Sequence, residues 1–145
     1  MGQSEEDYII LREIQKNTEM GIRAINMLTE RTTDDALRQK IENQAVRYSE
    51  FHNKASRELL DGRQENYHSN KFSNLMLSGS IMASTMFDTS DSHIAELMIQ
   101  GSNRGITDMY KSLKHNANAS EHTVEFAKEL MDFEEQAIDS LRCFL

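Results

Sequence analysis

Glutamate and histidine are the residues of this chain that could hold a pair of metal ions inside a helical bundle. Such a centre takes one Glu from each of two helices and a Glu-x-x-His pair from each of the other two, because residues i and i+3 share a helical face. The chain has 24 acidic residues and 5 histidines, so the residue types are present. One literal Glu-x-x-His occurs, at Glu65 and His68, in a polar stretch between predicted helices, and we interpret it as a chance match.

The inward positions near the centres of two predicted helices carry other residue types where metal ligands are needed. Tyr48 and Phe51 have the i, i+3 spacing in the second long helix, and Leu130 and Phe133 have it in the fourth. Neither pair is Glu-x-x-His, so the sequence predicts no di-metal site and no resident cofactor. His52 comes three residues after a serine, and we interpret it as a histidine hydrogen-bonded to a neighbour.

An alternative hypothesis keeps an incomplete metal site. In it, iron or manganese would bind to a divergent set of residues: Glu19, Tyr48, His52, Glu96 and Glu134. Glu134 also has a simpler interpretation, because it lies beside the predicted inward stripe of its helix. A buried carboxylate needs a partner, and Arg47, Arg104 or Tyr48 could provide one. We therefore expect a structural polar contact at Glu134.

Charge and composition argue against several classes of function. Asp and Glu outnumber Lys and Arg by 24 to 16, and no basic stripe with interleaved aromatic residues appears, so we exclude nucleic acid as a partner. The start of the chain lacks the order of a signal peptide, and no apolar run is long enough to span a membrane, so we expect a cytoplasmic protein. No nucleophile motif, phosphate loop or dinucleotide fingerprint is present, and we name no catalytic residue.

The elements that must position these residues are helices. Apolar residues recur at three- and four-residue spacing over four long stretches, 8–29, 37–61, 92–114 and 121–144, and there is no proline. A shorter apolar segment, 72–87, lies between the second and third stretches, with a predicted bend at Ser78-Gly79-Ser80. This order predicts one all-α domain, 1–145, built as an antiparallel four-helix bundle with a short crossover helix. The alternative is a hairpin pair that completes its core only by dimerising.

Glycines and methionines mark the predicted close contacts. Gly101 and Gly105 interrupt a helical pattern, which favours close approach of a neighbouring helix at both positions. The crossover is rich in methionine and has more apolar residues than one helix face can bury. It either packs against the bundle or forms a homodimer interface through these residues: Leu75, Met76, Met82, Met86 and Phe87.

The chain resembles the ferritin-like superfamily. Within it, the likeness is to small uncharacterised bacterial families, first a pseudomonad-type four-helix bundle domain of unknown function and more weakly the spore-coat-type ferritin-like proteins of Firmicutes. The segments that carry it are 17–21 (Asn-Thr-Glu-Met-Gly), 48–59, the crossover and 95–113. In the pseudomonad-type family the last of these helices reads as an acidic stretch, Arg-Gly-Glu-Asp, an aromatic and Leu. Here Arg104-Gly105 is kept, and Ile106-Thr107 replaces the acidic pair.

The resemblance implies a ferritin-like bundle with a short bent crossover helix between helices two and three. It also implies a stress, envelope or sporulation context, and it implies no established reaction. Together with the missing ligand pairs, it leads us to expect a structural or interaction protein that acts by self-association. The alternative is a divergent metal-binding protein that handles iron or acts as a weak oxidase.

Overall fold

The computed structural model describes residues 3–145, which form five α-helices and a final 3₁₀ turn. The elements are α1 (Glu5–Thr29), α2 (Asp35–Asp61), α3 (Lys71–Thr85), α4 (Asp91–His115), α5 (Glu121–Leu141) and the turn Arg142–Phe144. No strand occurs within this range, so the all-α prediction is confirmed. None of the helices described is long and apolar enough to cross a membrane.

Polar caps decide where the helices begin. The side chain of each N-cap residue accepts a hydrogen bond from the first turn, at Ser4, Asp34, Asn70, Ser90 and Ser120. Asp34 caps the second long helix, and Ser120 caps the fourth. The first long helix begins three residues earlier than predicted, because the Ser4 and Asp7 side chains form a reciprocal capping box.

At the end of α2 the left-handed residue comes one position after the glycine. Gly62 has a φ of −83°, and the next residue, Arg63, takes the left-handed conformation with a φ of 54°. The glycine is needed for space instead, since a Cβ at position 62 would lie 2.6 Å from the hydroxyl oxygen of Tyr8.

The four long helices follow an up, down, down, up order. Asp7 contacts Ser120 and Asn17 contacts Glu134, so the contacts advance in the same direction along α1 and α5, and these two helices are parallel. Short loops make α2 antiparallel to α1 and α4 antiparallel to α5. Because α2 and α4 therefore run the same way, α3 has to carry the chain back along the bundle.

The core closes within one chain. α1 packs against α2, α4 and α5, and α5 also packs against α2 and α4. Fully buried apolar side chains come from each long helix: Ile10, Ile14, Ile25, Leu28, Leu37, Ile41, Leu59, Ile94, Met109, Phe126, Leu130 and Leu141. The hairpin pair that needs a second copy to complete its core is therefore not the observed arrangement.

The crossover helix α3 is peripheral. Its buried residues are Ile81 and Thr85, and α1 is the helix it contacts most. The helix continues without interruption through Ser78–Ser80, where the sequence predicted a bend. Gly79 is exposed and nothing inserts into the helix beside it, so the local helical hydrogen bonds are not displaced.

Candidate functional site

A buried carboxyl group near the middle of α5 connects the long helices. Glu134 is 1% exposed. Its Oε2 accepts a hydrogen bond from the Tyr48 hydroxyl of α2 at 3.1 Å, and its Oε1 accepts one from Asn17 Nδ2 of α1 at 2.9 Å. Asn17 Nδ2 also donates to the carbonyl oxygen of Gly105 in α4, at 3.2 Å. One carboxylate and one amide thus tie four helices together.

An aromatic layer lies directly against this polar group. The Tyr48 ring meets Phe133 edge-on, with 5.0 Å between ring centroids. Phe51 packs against Phe133 at 5.7 Å and against Phe126 at 6.0 Å. Each aromatic pair adds about 0.5–1.5 kcal/mol beyond its buried area. Tyr48, Phe51, Leu130 and Phe133 are buried or half-buried, as the sequence pattern predicted.

Two helical glycines make room for the site. A Cβ at Gly105 would collide with the Glu134 carboxylate, and it would lie 2.9 Å from Asn17 Nδ2. A Cβ at Gly21 would lie 2.9 Å from the Tyr48 ring. Close approach was predicted at both Gly101 and Gly105. It is confirmed at Gly105 and wrong at Gly101, which is exposed and whose added Cβ would have no neighbour within 4 Å.

Burial controls the protonation of the site. It raises the pKa of Glu134 from 4.5 to about 7, and the negative charge of Asp108 adds to the rise, while the hydrogen bonds from Asn17 and Tyr48 oppose it. Burial and the charge of Glu134 also raise the pKa of Tyr48 well above its usual 10, so that this phenol stays neutral. Glu134 is therefore divided between its neutral and ionised forms near pH 7.

A cavity of about 80 Å³ adjoins the carboxyl group. Its polar end is formed by Asn17, Tyr48, Ser102 and Glu134. Its remaining walls are aliphatic or lack a side chain: Met20, Gly21, Ala24, Leu77, Leu97, Met98 and Gly101. The cavity thus has one polar end and otherwise apolar walls.

The five residues of the divergent metal hypothesis lie in three separate places. His52 Nε2 is 3.0 Å from Glu19 Oε1, which confirms the prediction of a histidine bonded to a neighbour. Tyr48 and Glu134 form the buried pair described above, and Glu96 accepts a hydrogen bond from Gln100 at 3.3 Å on an exposed face of α4. Within residues 3–145, no three Asp, Glu, His or Cys side chains come close enough to share a metal ion.

Of the three partners predicted for Glu134, Tyr48 is the one in contact. Arg47 pairs with Glu50 at 2.7 Å, and Arg104 pairs with Asp108 at 3.1 Å, both towards solvent. The literal Glu-x-x-His at Glu65 and His68 lies outside any helix, and both residues are exposed.

No protein-family model, curated protein or solved structure matches this chain. The resemblance to the ferritin-like superfamily therefore stays a prediction, and the geometry has to support any functional proposal.

Three polar members of the site were not predicted. Asn17 and Ser102 lie within helical patterns that mark them as ordinary polar residues, and Asp108 acts on Glu134 through its charge. Gly105 was the one sequence signal for this site. A glycine inside a helix, facing a glutamate on the neighbouring helix, indicates that the glutamate side chain occupies the space where a larger residue would lie. That signal requires knowing which positions of α4 and α5 face each other.

Proposed function

We propose that this protein acts by self-association, as a homodimer that pairs through α3, and that it is not an enzyme. The observation that carries this proposal is the exposure of large apolar side chains along one helix. Six of them, exposed by 56–92%, make up what we term the α3 face: Phe72, Leu75, Met76, Met82, Met86 and Phe87. Contiguous apolar surface of this kind is typical of an interaction site.

The α3 face has the spacing of a helix that packs against another helix. Phe72, Leu75, Gly79, Met82 and Met86 follow one another at intervals of three and four residues, which is the pattern of a coiled-coil seam. Met86 caps the helix in a helical conformation, so it continues this stripe. The partner predicted by the pattern is therefore another helix.

The α3 sequence is nearly symmetric about Gly79, which favours a second copy of the same helix. Met76 and Met82 lie three residues to either side of the glycine, and Phe72 and Met86 lie seven residues to either side. Two antiparallel copies crossing at Gly79 would place Met76 of one copy against Met82 of the other, and the reverse, around a twofold axis. No added Cβ at Gly79 would meet another atom, so the centre of the face is open to close approach.

The area and the charge of the face both suit a dimer. Six side chains of roughly 200 Å² each, about two-thirds exposed, present on the order of 800 Å², which is about what each partner buries in a standard interface. No charged residue occurs between Lys71 and Asp88, although the chain carries a net charge of −8. Two acidic copies can therefore meet on this face with little repulsion.

The chain topology supports the resemblance to ferritin-like proteins as a framework for this proposal. Those folds combine four long helices with one long crossover connection, and α3 occupies the crossover here. On this proposal the protein keeps such a bundle as a rigid scaffold and uses its crossover for pairing.

The test is the oligomeric state of the wild-type protein and of a variant with a charge placed in the face. We expect light scattering and sedimentation velocity to give a dimer for the wild type. Met82→Glu should give a monomer with unchanged helical content, because a buried charge at the centre of the interface costs several kcal/mol. Met82 is 56% exposed in the single chain, so folding of that chain does not depend on it.

Leu60→Glu is the matched control. Leu60 is 74% exposed on α2, outside the α3 face, and the same change there should leave the dimer intact. A wild-type protein that remains monomeric at high concentration would contradict the proposal. A Met82→Glu variant that dimerises as well as the wild type would place the interface elsewhere.

The divergent metal-binding protein is the second hypothesis, and the separation of its five residues gives it less support. Metal analysis of protein purified without a His-tag tests it directly. Iron or manganese at stoichiometric level would support it, and loss of that metal in Glu134→Gln but not in Glu19→Gln would place the site at the buried pair.

A further inference from the structure

Ser102 is the one buried polar side chain lining the Glu134 cavity that has no hydrogen-bond partner among residues 3–145. It is 2% exposed and lines the cavity, and its Oγ has no hydrogen-bond partner within normal bonding distance among residues 3–145. Ser102 nevertheless lies close enough to Tyr48 to lower the pKa of that phenol. A buried hydroxyl without a partner is costly, so its position facing a cavity indicates a group that completes its hydrogen bonds.

Most of the unused hydrogen-bonding capacity at the polar end of the cavity is acceptor capacity, and the Ser102 hydroxyl supplies the one free donor. Tyr48 uses its only proton on Glu134, and Asn17 Nδ2 donates to Glu134 and to Gly105. The groups that can still accept a hydrogen bond are the Glu134 carboxylate and the Tyr48 oxygen, through their unused lone pairs, and the Ser102 hydroxyl. A group that fits this end must therefore bring several donors, and a positive charge would pair with the carboxylate.

The volume limits the size of this group. An engineered apolar cavity of about 150 Å³ binds benzene, so a cavity of about 80 Å³ suits a smaller group with only a few non-hydrogen atoms. The aliphatic lining residues Leu77, Leu97 and Met98 suit contact with a short alkyl group.

We propose that the cavity lined by residues of all five α-helices is a binding site for a short primary alkylammonium ion, of the size of methylammonium or ethylammonium. The three N–H donors of the ion pair with Glu134, Tyr48 and Ser102, and its alkyl group contacts the aliphatic wall. None of the six residues of the α3 face lines this cavity. The proposed binding site and the proposed dimer can therefore be tested separately.

The experiment is a titration of the full-length protein with ethylammonium chloride at pH 8, where Glu134 is ionised, followed by two-dimensional NMR. Sodium chloride at equal ionic strength is the reference. We expect saturable shifts confined to Asn17, Tyr48, Ser102 and Glu134 and their immediate neighbours. Ethanol, which has the same size without the charge, should bind at least about tenfold more weakly, since charge-assisted hydrogen bonds are the stronger ones.

Two variants and a control test whether ethylammonium binds in this cavity. Glu134→Gln should weaken ethylammonium binding about tenfold or more, and Ser102→Ala should weaken it severalfold while leaving the protein folded. Glu135→Gln removes a charge from the exposed neighbouring position and should leave the affinity unchanged. Equal responses to ethylammonium and sodium, or equal binding by the Glu134→Gln variant and the wild type, would overturn the proposal and leave the cavity as a site for water.

Discussion

Tyr48 of α2 donates a hydrogen bond to Glu134 of α5 across the core, with 3.1 Å between the two oxygens. The residues are 86 positions apart in the chain. Tyr48 also packs edge-on against Phe133, the residue that precedes Glu134. The same phenol therefore belongs to the polar group through its hydroxyl and to the aromatic layer through its ring.

Tyr48→Phe should separate these two roles. The ring contacts with Phe133 stay, but Glu134 loses a donor and keeps its burial. We expect the free energy of unfolding to fall by about 1–3 kcal/mol at pH 8, where the carboxylate is ionised, and by less at pH 5, where it is neutral. Urea denaturation at both pH values measures this, with Tyr110→Phe on the surface as a control that should change little. Equal losses at both pH values would contradict the assignment.

The raised pKa of Glu134 predicts a stability that decreases with pH. The folded state holds this proton up to about pH 7, whereas the unfolded chain releases it near 4.5. The contribution is fully present below pH 4.5, is lost as the pH rises to about 7, and reaches roughly 3 kcal/mol in total. Glu134→Gln should remove this dependence between pH 4.5 and 7, and Glu135→Gln should retain it.

The groups facing Glu134 define how this pH experiment is interpreted. Asp108 of α4 raises its pKa, whereas Asn17 of α1 and Tyr48 of α2 lower it. Burial also raises the pKa of Glu13 on α1, which gives a second contribution of the same sign. The quantity to measure is therefore the difference in slope between wild type and Glu134→Gln. Identical slopes in the two proteins would show that Glu134 is not the titrating group.

Alanine at two glycines of α4 should have opposite effects. Gly101→Ala adds a methyl group where no atom lies within 4 Å, so helix propensity should raise the free energy of unfolding by up to about 1 kcal/mol. Gly105→Ala has the same gain in propensity but drives the methyl group into the Glu134 carboxylate. We expect a net loss of about 1–3 kcal/mol. Denaturant titration of both variants tests this, and a stabilised Gly105→Ala variant would contradict the observed contact.

Asp7 should stabilise the protein by joining the starts of two helices. Its Oδ2 accepts from the Ser4 backbone N–H and its Oδ1 from the Ser120 backbone N–H, each at 2.8 Å. Although burial acts in the opposite direction, these hydrogen bonds lower the pKa of Asp7 to about 2. Asp7→Asn should cost about 2–3 kcal/mol at neutral pH. The stabilisation is present above pH 3.8 and is lost as the pH falls towards 2.

Asp35→Asn is the control for this change. Asp35 lies in the first turn of α2 with its side chain 96% exposed, and its ion pair with Arg38 is on the surface. We expect its replacement to change stability by less than about 1 kcal/mol. Urea denaturation of both variants at pH 7 and pH 3 measures the comparison. A loss at Asp35 as large as that at Asp7 would remove the special role of the buried position.

The sequence alone determined the helices and most of what the core contains. The helical periodicity and the absence of proline are local signals, because a helix forms through contacts between residues three and four positions apart. The same spacing showed that Tyr48 and Phe51 stand where Glu-x-x-His would be needed. Local patterns were therefore sufficient for the all-α fold class.

Only the tertiary structure decided which long-range contacts form. It selected Tyr48 over Arg47 and Arg104 as the partner of Glu134, and it distinguished the crowded Gly105 from the open Gly101. It also left the α3 face exposed. These outcomes depend on how far each helix is rotated and shifted against its neighbours. Many weak packing contacts together determine that rotation and shift. No local pattern in a single helix contains that information.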